Sequence, residues 1–177
     1  HVPDDATLKE KLILADASKV NYDKDTRKIS FDRDGMEIDL GGIAKGYTSA
    51  QIMQIYQDCG VTSGLVNLGG NVQALGCKTD GSKWKVAIQS PDDTEDYLGI
   101  LEIENQAVIT SGGYERYFEE DGVTYHHIID PATGYPADSG LISVTIVSDD
   151  GTLADGLSTS LFIMGEEKAA QFWKENS

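Results

Sequence analysis

Apolar residues recur at helical spacing in four segments of the chain. The segments are residues 4–15, 43–58, 153–164 and 166–174. In the second segment, apolar side chains stand at i, i+3, i+4 and i+7, and we expect them to lie on one face of one helix: Ile52, Ile55, Tyr56 and Cys59. The pattern therefore predicts a short helix at the start, a longer one before the middle and two at the end.

Alternating or β-branched runs predict strands between these helices. The predicted strands are residues 19–22, 27–31, 36–40, 65–68, 72–75, 83–88, 98–104, 107–110, 114–119, 124–129 and 141–148. Strands dominate, and a regular alternation of strand and helix is not sustained, so the pattern indicates the α+β class. We find no internal repeat and no linker, and we expect a single domain over residues 1–177.

The chain carries a strong net negative charge. Its 177 residues include 14 Lys and Arg and 30 Asp and Glu, which gives a formal net charge of −16. A surface this acidic argues against binding to nucleic acid and against an anionic membrane face. An anionic ligand would need a local cation, supplied by a metal ion or by a focused Lys or Arg.

The two cysteines, Cys59 and Cys77, show none of the spacings of a thiolate metal site. We expect two buried free thiols, and the sequence leaves a single disulfide open as the alternative. The chain starts at His1 without a charged or apolar targeting segment, so we expect its first residues to be the edge of a longer protein.

Two glycine motifs follow predicted strands. In residues 39–46, Gly41 and Gly42 precede a helix and Lys45, and in residues 67–71, two glycines stand at a strand end. Glycines let backbone N–H groups approach an anion, and a helix N-terminus adds the positive end of its dipole. The alternatives are a tight strand-to-helix turn for the first motif and a hairpin turn for the second.

Two of the three histidines of the chain, His126 and His127, are adjacent. Adjacent residues of a strand face opposite sides, so only one of them can point into a given site. The residues that follow, Asp130–Gly134, have the composition of a turn. A histidine beside such a turn is a candidate general acid or base, because histidine titrates near neutral pH. The alternative is a polar turn with one surface histidine.

Asp155 and Thr159 lie four residues apart in a predicted helix and so share one side of it. A carboxylate and a hydroxyl form a hard oxygen site suited to Mg²⁺, which phosphate oxygens and water would complete. The alternative is that Asp155 caps the helix.

Another motif, residues 110–118, combines hydroxyl groups with aromatic rings. These rings either stack on a planar ring of a ligand or belong to the core. Together the motifs indicate phosphate or pyrophosphate chemistry assisted by Mg²⁺.

Five motifs stand in a fixed order along the chain. They are Asp-Leu-Gly-Gly-Ile-Ala-Lys-Gly-Tyr at 39–47, Asn-Leu-Gly-Gly-Asn at 67–71, Thr-Ser-Gly-Gly-Tyr-Glu-Arg-Tyr-Phe at 110–118, His-His-Ile-Ile-Asp-Pro-Ala-Thr-Gly-Tyr-Pro at 126–136 and Ala-Asp-Gly-Leu-Ser-Thr at 154–159. With them, the chain resembles the ApbE family, the FAD:protein FMN transferases, over nearly its whole length. The resemblance implies a T-fold-like α+β architecture, a mostly antiparallel sheet with packed helices.

The resemblance implies an activity: Mg²⁺-dependent transfer of FMN from FAD to a Thr or Ser hydroxyl of an acceptor flavoprotein, with release of AMP. The metal ligands it implies are the Asp155 and Thr159 side chains and the carbonyl of Ala44. His127 would be the base, with His126 as second choice, and Lys45 would add positive charge. The residues that would line the FAD site are Gly41, Gly42, Lys45, Asn67, Gly69, Gly70, Ser111 and Glu115.

Family members are longer at both ends, so the resemblance leads us to expect a core fragment with impaired affinity for FAD. It also implies an exported cell-envelope lipoprotein, in the periplasm or at the outer face of the cytoplasmic membrane, whose lipid anchor is absent from this chain. The expected partners are FAD and an acceptor flavoprotein. Two alternatives remain open: an FAD pyrophosphatase that yields FMN and AMP, and a flavin-binding lipoprotein domain without turnover.

Overall fold

A computed structural model describes residues 2–93 and 95–176. The helices are α1 (Asp5–Leu12), α2 (Gly41–Asp58), α3 (Gly151–Met164) and α4 (Glu166–Asn176). The strands are β1 (Val20–Asp23), β2 (Lys28–Phe31), β3 (Gly64–Leu68), β4 (Asn71–Leu75), β5 (Trp84–Gln89), β6 (Tyr97–Ile103), β7 (Ala107–Gly112), β8 (Tyr117–Glu120), β9 (Val123–His126) and β10 (Ser143–Ser148). Every strand pair is antiparallel within the described residues, which confirms the α+β prediction.

The chain divides into two compact units, and each unit combines two stretches of sequence. The first unit contains residues 1–39 and 116–137, and the second contains residues 40–115 and 138–177. The first unit therefore holds α1, the β1–β2 hairpin and the β8–β9 hairpin. Among the described residues, the second unit holds the other three α-helices and the other six strands.

A four-stranded sheet of order β10-β7-β4-β3 forms the centre of the second unit. One face packs on the β5–β6 hairpin through a buried cluster of Val72, Ala74, Val86, Ile103 and Val108. The other face packs on α3 through a second cluster of Ala107, Ile109, Ile146, Ala154 and Leu161. Successive residues of a strand alternate between the two faces, so the polar residues that share the face of Ile109 are directed towards the helices.

Helix α2 is most deeply buried at residues outside the apolar face that its spacing predicts. Its buried residues are Gly46, Ser49 and Met53. Ile52 and Tyr56 pack against a buried cluster, but Ile55 is 57% exposed and Cys59 is exposed, so the apolar face of the helix is only partly buried. The physical reason is that α2 approaches its neighbours closely through small residues, which a count of apolar side chains does not detect.

In the first unit, α1 begins at an N-cap whose side chain is bonded to the helix. The Asp4 carboxylate accepts a hydrogen bond from the Thr7 N–H at 2.9 Å, as N-cap residues do. In the β8–β9 hairpin, the rings of Phe118 and Tyr125 stack with their centroids 5.2 Å apart. A cavity of about 160 Å³ lies beside these rings, and its lining includes His126.

Two further predictions were wrong, one in full and one in part. Residues 36–40 alternate like a strand, yet they form no strand in the structure, and Leu40 is 63% exposed. Alternation does not show that a partner strand exists. The cysteines are free, but Cys59 is exposed and Cys77 is only half-buried, so they are not two buried thiols. Within the described residues, no helix combines the length and apolarity needed to span a membrane.

Candidate functional site

Two helices of the second unit cross at a glycine. A Cβ atom added to Gly46 of α2 would overlap the carbonyl oxygen of Gly151 and lie 2.5 Å from Cβ of Asp155, both on α3. Real Cβ atoms do not come this close to backbone atoms, so only glycine permits this approach of the two helices. The crossing brings the backbone of α2 within reach of the Asp155 carboxylate.

The Asp155 side chain is held at this crossing by a backbone group. Its Oδ2 accepts a hydrogen bond from the Gly46 N–H at 2.7 Å, and the residue is only 4% exposed. Ser49 lies one turn further along α2. Its Oγ is 3.0 Å from the Gly46 carbonyl oxygen and 2.9 Å from Oε1 of Gln73. The Asp155 carboxylate is therefore buried and held by a hydrogen bond. Asp155 lies inside α3, whose N-cap is Asp150, so it does not cap the helix as the sequence left open.

Three hydroxyls lie together where β7 meets α3. The Oγ of Ser111 lies 2.8 Å from Oγ of Ser158 and 3.0 Å from Oγ1 of Thr159. Thr159 follows Asp155 by one helical turn, so both face the same side of α3. The structure thus brings together three predicted site residues, namely Ser111, Asp155 and Thr159, in one unit.

The second glycine motif forms the tight turn between β3 and β4. Gly69 and Gly70 both have positive φ, at 57° and 91°, and Oδ1 of Asn67 accepts the N–H of Gly70 at 2.9 Å. The Nζ of Lys45 on α2 donates to the Gly69 carbonyl at 3.4 Å. The motif therefore forms the hairpin turn that the sequence left open as the alternative. The Lys45 ammonium, predicted to supply positive charge, lies against this turn.

The remaining predicted residues of the second unit are exposed. Gly41 and Gly42 begin α2, and Leu40 at the N-cap makes no side-chain capping hydrogen bond. Ala44 lies in the first turn of that helix, and Glu115 follows β7 on the surface. Their positions leave them accessible to a ligand, and their assigned roles stay predictions.

The two histidines lie in the first unit and differ in how their rings are held. Both ring nitrogens of His126 have backbone neighbours: the Ile128 N–H donates to Nδ1, and Nε2 lies 3.3 Å from the Ala137 carbonyl. The side chain of His127 is exposed, and its Nδ1 lies 3.2 Å from the Arg116 carbonyl. A carbonyl oxygen only accepts, so Nδ1 carries the proton and Nε2 of the neutral ring presents a lone pair. This arrangement favours His127 over His126 as a base.

One buried polar residue of the second unit was not predicted from the sequence. Asn71, the first residue of β4, is only 1% exposed, and neither atom of its amide has a hydrogen-bond partner among the described residues. Buried side-chain amides in folded proteins are nearly always hydrogen-bonded, so such an atom requires an explanation. The motif at residues 67–71 contained this asparagine, but no spacing rule distinguishes a buried amide from an exposed one.

The residues around Asp155 fit a hard divalent ion. The donor set is made of carboxylate and hydroxyl oxygens, which Mg²⁺ prefers. No group of three or more His, Cys, Asp or Glu side chains in the described parts of the chain is arranged to bind a metal. Mg²⁺ commonly uses one or two carboxylates and completes its shell with phosphate oxygens and water. The single carboxylate and the unsatisfied amide of Asn71 are compatible with that mode of binding.

The ApbE family model matches residues 1–177, the whole chain and therefore both units. This chain belongs to the ApbE family. Among curated proteins, it is similar to a FAD:protein FMN transferase of Klebsiella pneumoniae, with 42% identity over 168 residues, covering 94% of this chain and 51% of that protein. A FAD:protein FMN transferase of Treponema pallidum is 38% identical over 188 residues, covering 98% of this chain and 52% of that protein.

Solved structures of ApbE proteins have the same fold. The crystal structure of the ApbE protein from Thermotoga maritima superposes with a TM-score of 0.91 at 38% identity, covering 99% of this chain and 57% of that one. The flavin transferase ApbE from Vibrio cholerae gives a TM-score of 0.88 at 33% identity, covering 99% and 55% of the two chains. The chain spans about half the length of the relatives it matches, and the ApbE-type α+β architecture predicted from the motifs is confirmed.

Proposed function

We propose that this chain carries the metal- and phosphate-binding part of an FAD:protein FMN transferase. The observation that carries the proposal is the buried Asp155 carboxylate, fixed by Gly46 and followed one turn later by the Thr159 hydroxyl. A buried carboxylate is costly unless a positive charge pairs with it, and a divalent ion would supply that charge. The names of the relatives from Klebsiella pneumoniae and Treponema pallidum support the same reaction class.

The proposed cation is Mg²⁺, with Asp155, Thr159 and the carbonyl of Ala44 as its ligands from this chain. When bound, it would offset the negative charge that develops on a pyrophosphate as its bridging bond breaks. One carboxylate leaves most of the coordination shell to phosphate oxygens and water, which is the usual arrangement for Mg²⁺ on a nucleotide. In a chain of net charge −16, this local positive charge is what would allow an anionic substrate to bind.

The glycine turn and Lys45 are proposed to hold the phosphates of FAD. The turn at Gly69 and Gly70 is free of side chains, and a Cβ added to either glycine would meet nothing within 4 Å. The Lys45 ammonium already lies at the Gly69 carbonyl, 3.4 Å away. Further contacts to FAD are assigned to the accessible residues near these elements: Gly41, Gly42, Asn67, Ser111 and Glu115.

In the proposed reaction, a Thr or Ser hydroxyl of an acceptor flavoprotein attacks the FMN phosphorus of FAD. The new bond joins that hydroxyl oxygen to phosphorus, and the bond from phosphorus to the bridging oxygen breaks, so that AMP leaves with the electron pair. We assign the hydroxyl proton to Nε2 of His127, because the Arg116 carbonyl already fixes the proton of that ring on Nδ1. His126 is assigned a structural role, since backbone groups hold both of its nitrogens.

We further propose that the protein acts outside the cytoplasm as a lipid-anchored envelope protein, as the family resemblance implies. The support for this location is the resemblance alone. Fractionation of cells that produce the whole protein, with detection in envelope and soluble fractions, tests it. Recovery in the cytoplasmic fraction would contradict the proposal.

The direct test is mass spectrometry of an acceptor domain incubated with FAD, Mg²⁺ and this 177-residue chain. The full-length relative from Klebsiella pneumoniae serves as the positive control, and a sample with EDTA tests the requirement for a cation. We expect an FMN-sized mass increment on a Thr or Ser of the acceptor, and we expect EDTA to abolish it.

Other outcomes of this assay distinguish the alternatives. Release of FMN and AMP without acceptor modification would favour an FAD pyrophosphatase. Binding of FAD without any cleavage by the chain, while the Klebsiella control modifies the acceptor, would favour a flavin-binding domain without turnover. Either result would contradict the proposed transferase activity of the chain.

A further inference from the structure

The Asn71 amide is an anomaly within a well-packed sheet. The residue is 1% exposed, and Oδ1 and Nδ2 both lack hydrogen-bond partners among residues 2–93 and 95–176. An unsatisfied buried amide destabilises a fold, whereas an apolar side chain of similar shape at the same place would not. An asparagine at this position lowers the stability of the fold. Residues that lower stability in this way are commonly found in active and binding sites.

Strand geometry places Asn71 under the α2–α3 pair. Asn71 and Gln73 are two residues apart on β4 and so face the same side of the sheet. Gln73 contacts both helices: its Oε1 lies 2.9 Å from Oγ of Ser49 on α2, and a Cβ added to Gly151 on α3 would lie 2.6 Å from it. The Asn71 side chain is therefore directed towards the same two helices.

The strand register places Asn71 at the level of Asp155 along α3. The antiparallel pairs Gln73↔Ala107 and Val72↔Val108 set the register of β4 against β7. By this register, the residue of β7 at the level of Asn71 is Ile109. Ile109 shares a buried cluster with Ala154 of α3, and two residues further along β7 Ser111 meets Ser158. The turn of α3 that packs on β7 at the level of Asn71 thus contains Asp155.

The Asp155 carboxylate faces α2, the helix that packs on β4. It is bonded to Gly46 of α2, and α2 is the helix that lies over β4 through Ser49 and Gln73. The amide with no partner and the carboxylate with one backbone partner therefore occupy the same buried region. No hydrogen bond joins the two side chains in the structure.

We infer that Asn71 is a further binding residue of this site, and that its amide bonds oxygen atoms in the coordination shell of a divalent ion held by Asp155. The inference rests on the proposed function, because it assigns a residue to the proposed cation site. An amide that both donates and accepts suits a site where carboxylate and water oxygens meet. Mutation of a group that hydrogen-bonds to metal ligands typically lowers the affinity for the metal by about ten- to a hundredfold.

The test uses Asn71→Leu, which keeps the number of heavy side-chain atoms and removes both polar ones. Two quantities are measured on the metal-free chain: the melting temperature, and the affinity for Mn²⁺ from the electron paramagnetic resonance signal of the free ion. We expect the melting temperature to rise, because an unsatisfied amide is removed, and Mn²⁺ binding to weaken about ten- to a hundredfold. Asn71→Ala removes the amide without adding volume and decides the affinity result if the leucine does not fit.

Thr110→Val is the matched control. Thr110 lies on the same sheet, and its hydroxyl is bonded to Thr145 at 2.8 Å on the face opposite to Asn71. We expect this variant to lose stability and to bind Mn²⁺ as the unmodified chain does. A weakening of Mn²⁺ binding in Thr110→Val equal to that in the Asn71 variants would overturn the inference.

The remaining outcomes are also decisive. Mn²⁺ affinity unchanged in Asn71→Leu and Asn71→Ala, while Asp155→Asn abolishes binding, would overturn the inference and leave the proposed cation site intact. A lower melting temperature with unchanged affinity would mean that Asn71 serves the fold only. An unmodified chain that binds no Mn²⁺ would overturn both the inference and the proposed cation site.

Discussion

The backbone N–H of Gly46 donates a hydrogen bond to the buried carboxylate of Asp155 across 2.7 Å. The two residues are 109 positions apart, and the bond joins the helix after the first glycine motif to the helix of the last motif. Motifs far apart in sequence are thereby parts of one site. Because the donor is a backbone group, the contact depends on how closely the helices approach and not on a second side chain.

Gly46→Ala tests that approach. The added Cβ would overlap the Gly151 carbonyl, a backbone atom that cannot rotate away, so the helices must separate. We expect the free energy of unfolding to fall by about 1–3 kcal/mol, as for other overpacked core positions. Urea denaturation followed by circular dichroism measures it.

Gly42→Ala, four residues earlier on the same helix, is the control for that measurement. A Cβ at Gly42 meets nothing within 4 Å, and alanine is the better helix former. We expect this variant to gain roughly 0.5–1 kcal/mol. Equal destabilisation of the two variants would show that the close helix approach at Gly46 is not what requires glycine.

Asp155→Asn separates the charge of the carboxylate from its hydrogen bond. The asparagine oxygen can still accept the Gly46 N–H, so we expect a folded chain with nearly unchanged thermal stability. Cation binding is expected to disappear, because the only carboxylate of the donor set is lost. Calorimetric titration with MgCl₂ measures it, and a Mg²⁺ affinity equal to that of the unmodified chain would place the ion elsewhere.

The histidines are expected to respond differently to substitution by glutamine. We expect His127→Gln to lower the rate of FMN transfer by about a hundredfold or more with an unchanged melting temperature, as is typical when a general base is removed. We expect His126→Gln to lower the melting temperature, because the Ile128 N–H and the Ala137 carbonyl lose their partner. The acceptor assay and a thermal scan on both variants supply the data, and the reverse pattern would exchange the two assignments.

Acid is expected to destabilise the fold through a set of hydrogen-bonded aspartates. Bonds from neighbouring Ser or Thr groups lower the pKa of four carboxyls below the usual 3.8: Asp4, Asp16, Asp23 and Asp80. A folded-state pKa below the unfolded value means that the stabilisation is complete above the unfolded pKa and is lost as the pH falls through the folded one. Urea midpoints measured between about pH 5 and pH 3 should therefore decline.

Asp4→Asn tests one member of this set. Asparagine is as good an N-cap as aspartate but does not titrate, so the variant should keep the cap of α1 at neutral pH. Its urea midpoint should decline less steeply with acid than that of the unmodified chain. An identical pH dependence would show that the Asp4 carboxyl contributes nothing to the acid response.

The relative positions of several candidate-site residues were predictable because these residues lie in short, ordered motifs. The four-residue spacing of Asp155 and Thr159 was enough to place both on one side of α3. The glycine pair at 69 and 70 and the nearby Lys45 were also predicted, and the structure joins them directly. These features depend on local geometry, which spacing describes well.

What the sequence did not predict depends on contacts between distant segments. Residues 36–40 alternate like a strand, but no rule of alternation supplies a partner strand. The burial of Gly46 and Ser49, instead of Ile55, follows from how closely α2 approaches α3. That the Asn71 amide is buried without a hydrogen-bond partner among the described residues likewise follows only from how the sheet packs against both helices.

We propose that the Asp155 site uses a divalent ion to break the pyrophosphate of FAD. The most direct test of this proposal is the rate of AMP release from FAD, with an acceptor domain present, as MgCl₂ is added to the unmodified chain and to Asp155→Asn. We predict a rate that rises to saturation with Mg²⁺ in the unmodified chain and is lower in the variant by at least about a hundredfold, since metal stabilisation of developing charge is worth several kcal/mol. AMP release that is independent of Mg²⁺, or equally fast in the variant, would contradict the claim.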